Sequence, residues 1–333
     1  MTCLTSFVYG QKYQNYIPLL IYSIKKAYSE YNIIIFVHST LNPNVKKQLD
    51  ALKRTYSFEI IENVFDDCPH MTPAKSRALR WVLWSPNFDK FDYIYTVDID
   101  IFYLNESPSL HFQHIQHMKH VSLPFSNIVR VNSVNKLSII NILRKIKYSG
   151  IKNMYSFLSS SGNYIHLSGL HFVDRKEYYA KLNGAKRQYY KNMIYQSHSV
   201  DWSTISGEIN DEIFLYDMIS ELGWDISTLG VQTDPVSMLD FRNPNRDEFR
   251  PHHGIHLGIF RNSKLDTGSE EIAESEIYRY YINELLKTLH EDIMFVEIAN
   301  NFSDSVRQLF LNLFKYYSVD NSVYRYIDKT NNH

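Results

Sequence analysis

Two aspartates one residue apart, Asp98 and Asp100, follow directly on an apolar run, Tyr93-Ile94-Tyr95-Thr96-Val97. Such a run predicts a buried strand, and side chains at i and i+2 of extended backbone point the same way. Two hard carboxylate oxygens at the mouth of a sheet suit Mg²⁺ or Mn²⁺. These ions take one or two protein carboxylates and complete their coordination with phosphate oxygens. A bound ion of this kind stabilises the charge on a departing diphosphate as a Lewis acid. A second acidic pair, Asp211-Glu212, opens the helical pattern Asn210–Leu222, where the dipole of a helix start favours negative charge. Roles open to this pair are general base toward a hydroxyl, stabiliser of an oxocarbenium-like centre, orienter of an acceptor, or plain partner of the dipole. The spacing His111, His114, His117, His120 places imidazoles on one helix side, and it is read as a solvated edge rather than a zinc site.

The elements that must position these residues follow from periodicity. Leu4–Tyr9 predicts a first strand closed by Gly10, and Tyr16–Tyr28 a helix with Ile17, Leu20, Ile21 and Ile24 on one face. Ile33–Val37 is a continuous apolar run, as in a strand buried on both faces. A helix over Val45–Tyr56, a strand over Phe58–Ile61, a helix over Pro73–Trp84 and the strand Tyr93–Val97 complete the alternation. This order implies a mostly parallel, doubly wound α/β sheet, whose ligands bind beyond the carboxyl ends of the strands. Further on, Lys136–Lys147 reads as a basic helix, Asn163–Val173 as a strand pair with Gly169 at a close approach, and the chain from about Leu265 as helical.

With 44% hydrophobic and 21% charged residues, the 333-residue chain has the composition of a globular protein with a sizeable core. No stretch approaches the roughly 20 apolar residues of a membrane span, and the opening residues lack the pattern of a signal peptide. Cys3 and Cys68 are too few for a disulfide framework, so a reducing, cytoplasmic setting is expected. The formal net charge of −1 hides a basic block over Ser126–Val200, with twelve Lys or Arg against two acidic residues. That block suits phosphate, an acidic sugar, an anionic membrane face at peripheral contact, or simply a solvated helical surface. A near-neutral chain without a recognition motif is not expected to bind nucleic acid. The 26 tyrosines supply rings that stack on sugars and bases and equally fill cores.

Lys90–Ile101 resembles the region around the Asp-X-Asp motif of GT-A glycosyltransferases. Within them it is most similar to the family 8 type, which includes glycogenin and bacterial lipopolysaccharide galactosyl- and glucosyltransferases. Thr72-Pro73-Ala74-Lys75-Ser76-Arg77 resembles the family's stretch before the helix leading into this strand. Ile165–Val173 is similar to its Ser-Gly strand beside the acceptor, and Asn210–Leu215 to its acidic helix start near the reacting carbon. Arg250–Gly258 is similar to the late His-Gly motif whose histidine completes the metal shell, although the family's spacing and its following Lys-Pro-Trp are missing.

The resemblance implies a GT-A, Rossmann-like, doubly wound mixed sheet over residues 1–264 and a mainly helical C-terminal extension over 265–333. It implies a nucleotide-sugar donor, by default UDP-linked, and retention of anomeric configuration. The candidate donor set is Phe7, Tyr9, Tyr13, Lys75, Arg77, Asp98, Ile99 and Asp100. Mn²⁺ or Mg²⁺ is assigned to Asp98 and Asp100 with His256, which lies in an apolar run, as first histidine and His253 as second. His166, Ser168 and Gly169 are assigned to the acceptor or sugar, and Asp211 and Glu212 to catalysis. The expected acceptor is a glycan or lipid-linked hydroxyl of a bacterial surface polysaccharide (lipopolysaccharide, lipooligosaccharide or capsule). The alternative is a metal-dependent phosphohydrolase or nucleotidyltransferase using the same aspartates. The absence of an early Asp-X-Asp after the first strand and of a Gly-rich phosphate loop counts against it.

Overall fold

The computed structural model describes residues 1–133, 163–197, 210–229, 231–232, 254–265, 267–319 and 327. In chain order its strands are β1 (Thr2–Val8), β2 (Asn32–Val37), β3 (Glu59–Ile61), β4 (Tyr93–Thr96), β5 (Ile101–Phe102), β6 (Phe125–Ser126), β7 (Val129–Ser133), β8 (Asn163–Leu167), β9 (His171–Asp174), β10 (Val231–Gln232) and β11 (Ile255–His256). With the helices between and after them they make a mixed α/β protein of two compact units. One comprises Met1–Asp66, Val97–Gln113 and Asp234–His333; the other comprises Asp67–Thr96 and His114–Thr233.

In the first unit, β3, β2 and β1 lie parallel in that order, with Leu4 opposite Ile33 and Ile35 opposite Ile60. The helix Ile17–Ala27 carries the chain from β1 to β2, and Pro43–Lys53 carries it from β2 to β3. Each begins with proline in its first turn, where a missing N–H costs nothing, and Asn42 caps the second through Asn44 N. Ile33 to Val37 are all buried, as the uninterrupted apolar run predicts. Gly10, just after β1, has φ +81°, a left-handed turn that suits glycine.

The C-terminal helices belong to this same unit. Ile293–Ala299 and Asp304–Tyr316 bring Phe295, Phe302 and Phe310 into an aromatic core with Tyr22 and Phe102. Asn312 donates from Nδ2 to the Phe260 carbonyl at 3.0 Å, and Gln48 from Nε2 to the Asn301 carbonyl at 3.0 Å. The aromatic run Phe310–Tyr317 is therefore interior packing: Phe310, Leu313 and Phe314 are buried, and the Tyr317 hydroxyl donates to the Ala273 carbonyl.

The second unit supplies the antiparallel pairs of the mixed sheet that the resemblance implies. β9 pairs antiparallel with both β4 and β6, while β7 lies antiparallel to β8 and parallel to β10. The predicted strand pair over Asn163–Val173 is two strands of different sheets, separated by the turn Ser168–Leu170. The helix predicted over Pro73–Trp84 is α-helical to Leu79 and continues as a 3₁₀ turn over Arg80–Val82. The histidine-rich helix Leu110–Val121 also departs from expectation, since His114 and His117 are buried. Their Nδ1 atoms meet the Ser126 hydroxyl at 3.0 and 2.9 Å, and His114 stacks on Phe172. The apolar rows of β6 and β9 recruit this side of the helix, so it is no solvated edge. The basic segment Lys136–Lys147 lies outside the described residues.

Candidate functional site

The first unit gathers one cluster around Asp100. β4 ends at Thr96, and Val97 and Asp98 run into a turn at Ile99-Asp100 that leads into β5. This corrects the expectation of a continuous extended strand, so the two carboxylates are not related by strand alternation. Val97 is held at the turn's entrance: its N–H donates to the Thr5 carbonyl at 2.9 Å, and its carbonyl accepts from Ser6 Oγ at 2.9 Å. β5 and β11 form a short antiparallel ladder with His256 opposite Ile101, and Leu257 N donates to the Asp100 carbonyl at 2.8 Å. That register sets His256 Nε2 3.2 Å from Asp100 Oδ2. The buried Tyr278 hydroxyl braces His256 by accepting from its N–H at 2.7 Å and donating to its carbonyl at 3.2 Å.

Arg261, at the end of the 3₁₀ turn Leu257–Arg261, donates from Nη2 to the same Asp100 Oδ2 at 2.5 Å. Its Nε donates to the Tyr16 hydroxyl at 3.2 Å, and its guanidinium lies 5.1 and 5.4 Å from the ring centres of Tyr13 and Tyr16. Burial pushes the Asp100 carboxyl up, but the stronger pull of His256 and Arg261 holds it down at about 2. Burial likewise lowers His256, and Asp100 with Asp98 outweighs it, leaving the imidazole raised above its ordinary value. Gly258 is required here: a Cβ at that position would stand 2.6 Å from Asp100 Oδ2 and 3.1 Å from His256 Nε2.

A buried carboxylate oxygen beside an imidazole nitrogen fits a divalent ion, and the nitrogen leans the set toward Mn²⁺ over Mg²⁺. Among the described residues no group of three or more His, Cys, Asp or Glu side chains is placed to hold a metal ion by itself. His253 lies outside the described residues. Phe7 packs edge-on against Phe65 at 5.3 Å and Tyr9 lies beside His38 at 5.2 Å, both in this unit.

The second unit builds a cluster around the start of the helix Asp211–Glu221. Asn210 caps it, its side-chain oxygen accepting from Glu212 N and Ile213 N at 3.0 and 2.9 Å. Asp211 turns to the helix Pro73–Leu79 and the 3₁₀ turn after it: Arg80 Nη2 reaches its Oδ2 at 2.5 Å, Arg77 Nε its Oδ1 at 3.4 Å, and Trp81 Nε1 its carbonyl at 2.9 Å. Lys75 is engaged with backbone, donating from Nζ to the Tyr195 carbonyl at 2.8 Å.

Glu212 turns to β8 and the turn beyond it. Its Oε2 meets His166 Nδ1 at 2.8 Å, and its Oε1 accepts from Gly169 N at 2.9 Å and lies 3.4 Å from Arg130 Nη1. Burial raises this carboxyl, yet hydrogen bonding by His166 and the Arg130 charge outweigh it and bring it to about 2. Arg130 Nη2 also donates to Ser168 Oγ at 3.1 Å. Asn127 secures the turn from both sides, accepting from Ser168 N at 2.9 Å and donating to the Ser168 carbonyl at 3.1 Å and to His171 Nδ1 at 3.0 Å. Burial, reinforced by Arg80, lowers His171 to about 3. The sequence-derived candidates His166, Ser168, Gly169 and Glu212 thus share one hydrogen-bonded network.

Solved structures similar to this chain include the mannosyltransferase Ktr4p from S. cerevisiae, at 11% identity and TM-score 0.41 over 69% of this chain and 68% of that one. The galactosyltransferase LgtC, in complex with donor and acceptor sugar analogs, is similar at 10% identity and TM-score 0.39, over 87% of this chain and 100% of its own. The WbbM bifunctional glycosyltransferase is similar at 14% identity and TM-score 0.37, over 85% of this chain and 51% of its own. No protein-family model and no curated protein matches the sequence.

Sequence reading misses Arg261, Tyr16, Arg130, Arg80 and Asn127. Arg130 carries a signal that would have found it: a cation inside the apolar run Ile128-Val129-Arg130-Val131 must find a carboxylate when buried. Arg261 carries none, because only the β5–β11 register and the 3₁₀ turn bring it to Asp100.

Proposed function

We propose that this chain is a metal-dependent glycosyltransferase of the GT-A type that moves a sugar from a nucleoside-diphosphate donor to a hydroxyl acceptor. The observation that carries this reading is the convergence of Asp100, His256 and Arg261 beside the rings of Tyr13 and Tyr16. A buried carboxylate and an imidazole suit a divalent ion, an arginine suits phosphate oxygens, and exposed tyrosine suits a base or sugar. When bound, Mn²⁺ or Mg²⁺ supplies a Lewis acid to the departing diphosphate. Asp100 and His256 would hold it, Asp98 would add negative field, and Arg261 with Tyr13 would receive the anionic donor.

In this reading Glu212 is the carboxylate of the transfer step. It is ionised at any ordinary pH and held by His166, Arg130 and Gly169 N, as suits a group that stabilises developing positive charge at the sugar carbon. Asp211 is a positioning residue for Arg77 and Arg80, and the turn Ser168-Gly169 is assigned to the sugar or acceptor. UDP as the nucleotide, retention of configuration and a bacterial surface-glycan acceptor at the cytoplasmic membrane face belong to the proposal on the strength of the motif resemblance. Among the described residues no helix is long and apolar enough to cross a membrane. Peripheral contact falls to the basic block and is tested by sedimentation with anionic liposomes.

The deciding measurement is calorimetric binding of UDP with and without Mn²⁺ to the wild type and to Asp98→Ala/Asp100→Ala. Manganese-dependent binding that the double variant loses is the expected result. If neither UDP, GDP nor CMP binds with metal present, the reading falls. Phosphoester cleavage without a sugar acceptor would favour a phosphohydrolase.

A further inference from the structure

Resting on the metal assignment just proposed, we infer that Arg261 is a resident counter-ion of Asp100, which a divalent cation must displace and which the anionic donor then captures. Asp100 is buried, and a single oxygen, Oδ2, takes both polar neighbours: Arg261 Nη2 at 2.5 Å and His256 Nε2 at 3.2 Å. A carboxylate oxygen offers about two in-plane lone-pair directions. A divalent ion bound between this oxygen and His256 would stand directly beside the guanidinium on the same oxygen, and two cations crowded on one oxygen repel. Occupancy of Asp100 Oδ2 by metal and by Arg261 is therefore exclusive. The opposite pressure is also present, because a buried carboxylate without any cation is costly. Arg261 keeps Asp100 paired while no metal is bound.

The surroundings give the displaced arginine a place to go. Tyr13 and Tyr16 present ring faces 5.1 and 5.4 Å from the guanidinium, and the Tyr16 hydroxyl accepts from Nε, a contact that does not involve Asp100. Nη2 carries the bond to Asp100, and the side chain is 26% exposed, so the guanidinium edge released by metal is open to an incoming phosphate. Metal binding thus frees the cation that the diphosphate needs, and the diphosphate removes the cation that opposes the metal. The two ligands favour each other through one side chain, and the coupling is reciprocal by linkage.

The test is calorimetry with Mn²⁺ alone, UDP alone and both together, on wild type, Arg261→Gln, Arg261→Lys and Asp100→Asn. In Arg261→Gln, Mn²⁺ alone is expected to bind at least about fivefold more tightly than in wild type, the lower end of ordinary two-site coupling. The gain in Mn²⁺ affinity caused by UDP shrinks toward none. Arg261→Lys keeps a cation at Asp100 and stays near wild type for Mn²⁺ alone, which separates displacement of charge from loss of packing. Unchanged or weaker Mn²⁺ binding in Arg261→Gln, with coupling retained, overturns the inference. If Asp100→Asn binds Mn²⁺ as wild type does, the metal assignment itself fails; if Asp100→Asn loses Mn²⁺ while Arg261→Gln changes nothing, only the role of Arg261 fails. Should Arg261→Gln not fold, Tyr16→Phe removes the alternative partner of Nε and is expected to weaken the Mn²⁺–UDP coupling; unchanged coupling there overturns the inference.

Discussion

Glu212 and His171 are both tied to the turn after β8, Glu212 through Gly169 N and His171 through Asn127, yet burial acts on them with opposite outcomes. Glu212 has the Arg130 guanidinium and Gly169 N at one oxygen and His166 at the other, so it stays charged; His171, buried with an amide donor at Nδ1 and Arg80 nearby, stays neutral. Glu212→Gln keeps the shape and removes the charge. Turnover of the nucleotide-sugar donor is expected to fall by roughly a hundredfold or more, with UDP–Mn²⁺ affinity little changed, as steady-state kinetics beside calorimetry will show. His171 makes a separate prediction about stability. The unfolded imidazole takes a proton near 6.5 while the folded one waits until about 3, so stability is lost as pH falls through this window. A single proton contributes at most about 1.4 kcal/mol per pH unit. His171→Gln is expected to flatten the fall in Tm between about pH 7 and 5 by up to that slope, read from thermal melts. Glu212 adds stability that is fully present above 4.5 and lost only as pH falls toward 2.

Among elements, the ladder β5–β11 has the greatest effect for its size, since two residue pairs place His256, Gly258 and Arg261 around Asp100. Gly254, just before β11, is buried against the backbone of Phe102 and Tyr103, and a Cβ there would be driven into the Phe102 carbonyl. Gly254→Ala is expected to part the ladder and abolish Mn²⁺ binding at a melting temperature lowered by several degrees, checked by calorimetry and circular dichroism. The elements themselves were largely legible. Ile33–Val37 reads as a doubly buried strand and is one, and Asn210 followed by Asp211-Glu212 reads as a helix start and is one. Periodicity reports which residues seek an interior, so it finds strands and helices. It does not report register between distant strands, and so Arg261, which the β5–β11 ladder brings to Asp100, lay beyond its reach. It also misjudged His114 and His117, whose polar rings are buried because Ser126 satisfies them.

For the molecule as a whole, the placement of the C-terminal helices decides what stabilises the site. Phe310 is buried among Phe295, Phe302 and Phe314, in the unit that holds Asp100. Phe310→Ala is expected to cost about 3–5 kcal/mol, measured by urea unfolding, and to weaken metal binding in proportion to the unfolded fraction. A chain cut after residue 264 is expected to lose cooperative unfolding in its first unit, because Tyr22 loses Phe295 and the Phe260 carbonyl loses Asn312. The same arrangement has a consequence in time. The first unit draws on three separated stretches of chain, Met1–Asp66, Val97–Gln113 and Asp234–His333, so the helices Ile17–Ala27 and Pro43–Lys53 leave the ribosome long before the helix Ile293–Ala299 that packs on them. At about 5–20 residues per second, this apolar surface waits on the order of ten to fifty seconds for its partner. A chain stalled late in synthesis is therefore expected to expose this apolar surface, bind holding chaperones and aggregate in their absence.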